Sequence, residues 1–148
     1  MDHERWMREA LALADEAARA GEVPVGCVVV RGEEILGRGR NRREEARSAL
    51  AHAEVLAIRE ACAALGDWRL TDCGLYVTLE PCPMCAGAIL NARLKWVCYG
   101  ARDDKTGSLG SVLNLFEENY GYRPALYGGV LEAECTARMQ DFFRSLRG

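Results

Sequence analysis

Apolar residues at 6, 7, 10, 11, 13, 14, 17 and 18 recur at helical spacing and predict an amphipathic helix over 6–18. Gly21 follows as a stop signal. A dense β-branched run over 23–30, a turn at Arg31-Gly32-Glu33 and a second run over 34–40 predict a hairpin. Gly37 and Gly39 weaken the second strand or mark a bulge near a ligand. A polar loop over 40–48 leads into a helix over 51–65, with Val55, Ile58, Cys62 and Leu65 on one face, Ser48 as candidate cap and Gly66-Asp67 closing it. The rest of the pattern predicts a strand at 75–79, a helix opened by Pro81 and running to 92, and a strand at 95–100. A glycine-containing loop at 102–110, a helix at 111–118, an irregular stretch at 119–124, a strand at 125–127 and a last helix over 132–146 follow. Strands interleaved with helices predict an α/β layer architecture in one domain over 1–148, with no repeat or linker. A helix between strands 75–79 and 95–100 suits a parallel crossover.

Composition narrows the class. Of 148 residues, 49% are hydrophobic and 28% charged, a globular profile. The net charge of −3 argues against a surface coated in positive charge, although a local basic patch stays open. Nearly all the positive charge is arginine, which can fork onto phosphates and stack on bases. No apolar run approaches the ~20 residues that cross a bilayer, and the first residues lack an apolar signal core, so a cytoplasmic protein without a membrane partner is expected. Seven cysteines in a reducing compartment are not expected to be disulfides. Cys27, Cys62, Cys73, Cys98 and Cys135 sit among apolar neighbours and read as small core residues.

The candidate chemistry lies in Ala51-His52-Ala53-Glu54 and Glu80-Pro81-Cys82-Pro83-Met84-Cys85. Both segments fall at predicted helix starts. Cys82 and Cys85 are three apart and share a face, in a first turn whose free amides favour thiolate. His52 with Cys82 and Cys85 makes three protein ligands and leaves a fourth tetrahedral position open, as a catalytic zinc site requires. Two thiolates cancel the charge of Zn²⁺, so a base must help activate water, and Glu54 is that base. On an ideal helix the side chains of His52 and Glu54 diverge, so the pairing demands that both sit at the helix end. Singly, each piece has an ordinary reading: a redox pair, a surface histidine, a solvated glutamate. Together they match His-x-Glu … Pro-Cys-x-x-Cys, the signature of the zinc nucleobase deaminases.

Longer stretches resemble one family within that class, the bacterial tRNA-specific adenosine deaminases. They are Trp6-Met-Arg-Glu-Ala, Gly21-Glu-Val-Pro-Val-Gly, Asn41-Arg42, Leu75-Tyr-Val-Thr-Leu-Glu-Pro-Cys-Pro-Met-Cys-Ala-Gly-Ala, Tyr99-Gly-Ala-Arg-Asp-Asp-Lys-Thr-Gly, Gly129-Val-Leu-Glu-Ala-Glu-Cys and Asp141-Phe-Phe-Arg. The resemblance implies a cytidine deaminase-like fold, a three-layer α/β/α sandwich on a mixed five-stranded sheet, one Zn²⁺ per chain and a homodimer. It implies conversion of adenosine to inosine at the wobble position of an arginine tRNA, with the anticodon loop as partner. By the same resemblance Asn41 hydrogen-bonds the base, the Ala53 backbone amide meets it, Asp103 lies near the flanking nucleotides, and Phe143 and Arg147 meet the anticodon loop. Read without the family, Asn41 is a turn residue, Asp103 a turn or surface acid, and the last helix an amphipathic packing helix.

Glu80 is expected to order the loop before the cysteines and not to act as a second base. Arg38, Arg40, Arg42, Arg43 and Arg47 surround Asn41 and could hold phosphates, or form a solvated loop balanced by Glu44 and Glu45. Gly121-Tyr122-Arg123-Pro124 departs from the Asn-His that many relatives carry before the last strand, in a segment that lies near the family's active-site entrance. Three other functions compete: a deaminase of a free base such as guanine or cytosine, a non-catalytic RNA-binding subunit, and a cysteine redox protein.

Overall fold

A computed structural model describes residues 2–147. Its helices are α1 (His3–Arg19), α2 (Ala53–Leu65), α3 (Pro83–Asn91) and α4 (Glu132–Arg147). Its strands are β1 (Gly26–Arg31), β2 (Glu34–Arg40), β3 (Gly74–Leu79), β4 (Trp96–Ala101) and β5 (Ala125–Tyr127). They form one sheet in the order β2-β1-β3-β4-β5. β1 runs antiparallel to both β2 and β3, while β3, β4 and β5 are mutually parallel, so the sheet is mixed. A register shift at Val29/Val30 marks a bulge in the hairpin.

Strand alternation divides the core into two layers, because successive side chains leave opposite faces. Val28, Val30, Tyr76 and Cys98 pack with Trp6, Met7, Ala10 and Leu11 of α1 and with Cys135 of α4. Cys27, Val29, Leu75, Val77 and Val97 pack on the other face with α2 and α3. The result is the three-layer α/β/α sandwich with α1 and α4 on one side and α2 and α3 on the other. Cys27, Cys73, Cys98 and Cys135 are buried, and Cys62 is half-buried. Among the described residues, no helix is long and apolar enough to cross a membrane.

The fully buried side of α2 is made of Ala53, Glu54, Ala57, Ile58 and Ala61, while Cys62 and Leu65 are partly buried against the same core and Val55 is half-buried. The reason is Gly37 and Gly39. A Cβ on Gly37 would stand 2.1 Å from the Ala57 carbonyl oxygen, and one on Gly39 would stand 2.2 Å from that of Ala53. These glycines therefore admit a helix backbone against the strand, and Gly37 also borders the register shift opposite Val29/Val30. This seats the first turn of α2, which carries His52 and Glu54. Gly37→Ala is expected to cost about 3 kcal/mol, because the obstacle is backbone and cannot rotate away. Urea denaturation with unchanged slope would measure it.

Several element ends differ from the sequence expectation, four of them for a visible physical reason. β1 begins at Gly26, because Pro24 has no N–H and the Val25 amide turns back onto the Val23 carbonyl. Ser48 does not cap α2; it accepts from the Leu50 amide, and His52 holds the cap position. α3 begins at Pro83, not Pro81, whose carbonyl instead receives the Ser108 amide. Over 111–118 only Leu115–Glu117 forms a single 3-10 turn, capped by Asn114, since the preceding backbone is pinned to Glu80.

Candidate active site

Two helix starts meet at the site. His52 is the N-cap of α2, with extended φ and ψ and a side chain free of any capping bond. Glu54 is the second residue of that helix and is 4% exposed. The half-cap position of His52 swings its ring out of the helix path, so His52 and Glu54 converge where an ideal helix would separate them. Cys82 is the N-cap of α3, and Cys85 is its third residue. His52 Nδ1 lies 3.6 Å from Cys82 Sγ and 3.5 Å from Cys85 Sγ, and the three donor atoms lie within 4.8 Å of one another. Zinc–sulfur and zinc–nitrogen bonds at tetrahedral angles require an N···S edge of about 3.5 Å. The donor set therefore fits a tetrahedral ion.

Without a cation among them the donors compete for protons. The Cys82 thiol is pulled down to about 4, first by the Cys85 thiol donating to it and then by His52. Cys85 is pushed up, first by its bond to Cys82 and then by burial. Two adjacent sulfurs cannot both ionise without a cation between them. The His52 imidazole is raised, first by its bond to Cys82. The Glu54 carboxyl is raised to about 7, first by burial. A proton-transfer residue works best with its pKa near the operating pH.

His52, Glu54 and Cys82 floor a cavity of about 140 Å³. Its walls include Val23, Val25, Leu79, Asn41 and Ala53, with Arg43, Asp103 and Thr106 also lining it. The volume is well below the roughly 300 Å³ at which pockets enclose drug-sized ligands, so it suits one flat heterocycle. The Asn41 side chain donates to the Val23 carbonyl and accepts from the Arg43 amide. Among the described residues nothing else bonds this side chain, which leaves a second amide hydrogen and a second lone pair on it. Ala53 opens α2, where backbone amides have no intrahelical acceptor. Asp103 closes its own turn, accepting from the Lys105 and Thr106 amides and the Thr106 hydroxyl.

Phe143 and Arg147 lie near the end of α4 and are not among the cavity's lining residues. Neither is any residue of 119–124: Tyr122 donates to the carbonyls of Arg93 and Leu94 and ties that segment to the turn before β4. The arginines near Asn41 are largely engaged within their own loop. Arg40 and Arg42 pair with Glu45 at 3.0 and 2.9 Å, and Arg43 pairs with Glu44 at 3.5 Å.

Glu80 orders a different loop from the one expected. Its buried carboxylate accepts from the amides of Asp103, Leu109 and Ser111 and from the Ser111 hydroxyl. It thus holds the 103–111 rim, not the approach to the cysteines, and Gly107 leaves it room. The apolar walls Val23, Val25 and Leu79 were not foreseen as lining residues. The signal available for the first two was a proline between two valines, which reads as strand interruption only once the fold is known.

A family profile described as MafB19-like deaminase matches residues 1–147. The tRNA-specific adenosine deaminase of Bacillus subtilis (strain 168) is 49% identical over 145 residues, which cover 97% of this chain and 90% of that protein. The chain belongs to the tRNA-specific adenosine deaminase family. The deaminase is also similar to a solved tRNA:A34 deaminase that carries out A-to-I editing at the wobble position of transfer RNA. The identity is 41% and the TM-score 0.87, covering 90% of the deaminase and 98% of that chain. A guanine deaminase from Bacillus subtilis is 36% identical with a TM-score of 0.67, covering 97% and 95%.

Proposed function

We propose that the chain hydrolyses the exocyclic amine of adenosine to give inosine at the wobble position of a tRNA, an arginine tRNA by resemblance, as a zinc-dependent homodimer. One observation carries the chemistry: three donor atoms at tetrahedral edge distance beside a buried carboxylate, on the floor of a base-sized cavity. Similarity to named tRNA:A34 editors carries the substrate.

His52, Cys82 and Cys85 would hold the zinc ion, which supplies the Lewis acidity that makes water a nucleophile near neutral pH. Glu54 accepts a proton from the attacking water and passes it to a ring nitrogen of the base. Once the oxygen is bonded to the carbon, Glu54 takes the second proton from that hydroxyl and delivers it to the amino group, so the carbon–nitrogen bond breaks and ammonia leaves as the carbonyl forms. Asn41 and the Ala53 amide orient the base, while Val23, Val25 and Leu79 exclude bulk water. Only an unstacked base can enter so small a cavity, and an anticodon loop offers one. Asp103, Phe143 and Arg147, outside or at the rim of the cavity, are left for the nucleotides around the target. Leu50, Val112 and Leu113 expose apolar surface beside the segments that carry His52 and the rim loop, which suits a second copy.

A second reading, a free-base deaminase, is favoured by the cavity's size and the similarity to a guanine deaminase. Purified protein offered an anticodon stem-loop with adenosine at the wobble position, and separately free adenine, guanine and cytosine, decides between them. Inosine in the digested stem-loop and no turnover of free bases is the expected result. Turnover of guanine with an untouched stem-loop reverses the assignment.

A further inference from the structure

Glu22 is 2% exposed, and among the described residues no cation pairs with it. Its carboxylate is held by backbone alone: the Glu44 amide donates to Oε1 at 3.1 Å and the Glu45 amide to Oε2 at 2.7 Å. The Glu22 amide in turn donates to the Ala17 carbonyl at the end of α1. An ionised carboxylate taken out of water is costly unless charge-assisted bonds satisfy it, and here both oxygens are used to fasten one loop.

The two segments it joins are both cavity walls. Val23 and Val25 follow Glu22 directly, and Asn41 and Arg43 precede the two amides it binds. Asn41 is strung between the same two segments, its amide NH₂ on the Val23 carbonyl, its backbone N–H on the Val25 carbonyl and its Oδ1 on the Arg43 amide. Its orientation depends on the spacing between those segments, and Glu22 sets that spacing from behind.

We infer that Glu22 is a positioning residue for base binding: by fastening residues 44–45 to the end of α1, it fixes Asn41 in the orientation that meets the base. This rests on the proposed deaminase reading of the cavity. Glu22 touches neither the metal donors nor the cavity, so its loss acts through Asn41. A wall contact made equally before and during reaction changes KM, whereas Glu54 and the metal donors govern kcat.

Glu22→Gln keeps the volume and one acceptor oxygen but turns an NH₂ toward an amide that needs an acceptor. With the anticodon stem-loop it is expected to raise KM about tenfold and leave kcat within about threefold, with zinc content unchanged. Glu22→Ala should raise KM further. Hydrogen exchange adds a direct reading. The Arg43 amide is bound by Asn41, not by Glu22, yet it should lose protection in Glu22→Gln. An unchanged KM overturns the inference even where thermal stability falls, because stability loss alone is a structural effect. A wild-type protein inactive on the stem-loop and on free bases overturns the substrate assignment instead. In that case unchanged Arg43 protection in Glu22→Gln overturns the positioning role, and lost protection sustains it.

Discussion

Glu54→Gln is expected to lower turnover about ten-thousandfold while the protein keeps its metal and its fold. The upper range of general acid–base catalysis sets that magnitude. Glu54 is asked to move every proton in the cycle, and no other titratable side chain of the cavity is free to replace it. Glu80 already accepts from four donors, and the Asp103 carboxylate closes its own turn. Glutamine has the same shape and so creates no void at a site that is 4% exposed. It also removes a charge whose burial is the first cause that raises the Glu54 carboxyl. The folded state therefore has no reason to weaken, and melting should occur at or above the wild-type temperature. Zinc measured by atomic absorption should stay near one per chain, since neither the imidazole nor either sulfur is altered. Turnover within tenfold of wild type would remove Glu54 from the proton path.

The metal motif was legible because its geometry is local. An N-cap residue and the residues just inside the first turn fix their relative directions without help from distant contacts, so His-x-Glu and Cys-x-x-Cys carried their own spatial meaning. The element types were legible for a similar reason, since helical and alternating periods survive in the linear pattern. What could not be read depends on partners far along the chain. Gly37 and Gly39 are close-approach positions only because Ala53, Ala57 and Ala61 arrive opposite them. Pro81 failed as a helix start because its carbonyl is claimed by Ser108, in a loop that Glu80 assembles. The 111–118 segment has helical composition, but Ser111 is bound to Glu80, and the chain leaves that anchor in a conformation that admits only one 3-10 turn. Buried carboxylates held by backbone amides are invisible in sequence, because any glutamate in a polar context looks solvated.

The cavity also changes how the arginine-rich loop is understood. In sequence, five arginines around Asn41 suggested a phosphate-binding patch. In the structure Glu45 takes both Arg40 and Arg42, and its own carboxyl is lowered by those two guanidiniums. Their first role is to shape the loop that presents Asn41. Arg43 is different: it lines the base cavity while pairing with Glu44 at the exposed side. Few uncommitted positive charges thus lie close to the pocket, in keeping with a net charge of −3.

Cys82→Ser should separate the metal from the fold. Cys82 is the N-cap of α3, and serine is among the best residues for that position, so the helix start is retained or improved. A hydroxyl, however, does not ionise near neutral pH, whereas the Cys82 thiol is already pulled down to about 4. The variant therefore keeps the shape and loses the anionic donor. Bound zinc is expected to fall well below one per chain after dialysis, and turnover to fall at least as far as in Glu54→Gln. Metal bound only by the folded state raises the melting temperature by mass action. Wild type should thus melt at a lower temperature once stripped by chelator and recover when zinc returns, while Cys82→Ser should melt near the stripped wild type with or without added zinc. Cys82→Ser with a full zinc complement and wild-type turnover would mean that Cys82 is not a ligand. The tetrahedral site would then have to be rebuilt around other donors, and no second His, Cys, Asp or Glu cluster of suitable spacing exists among the described residues.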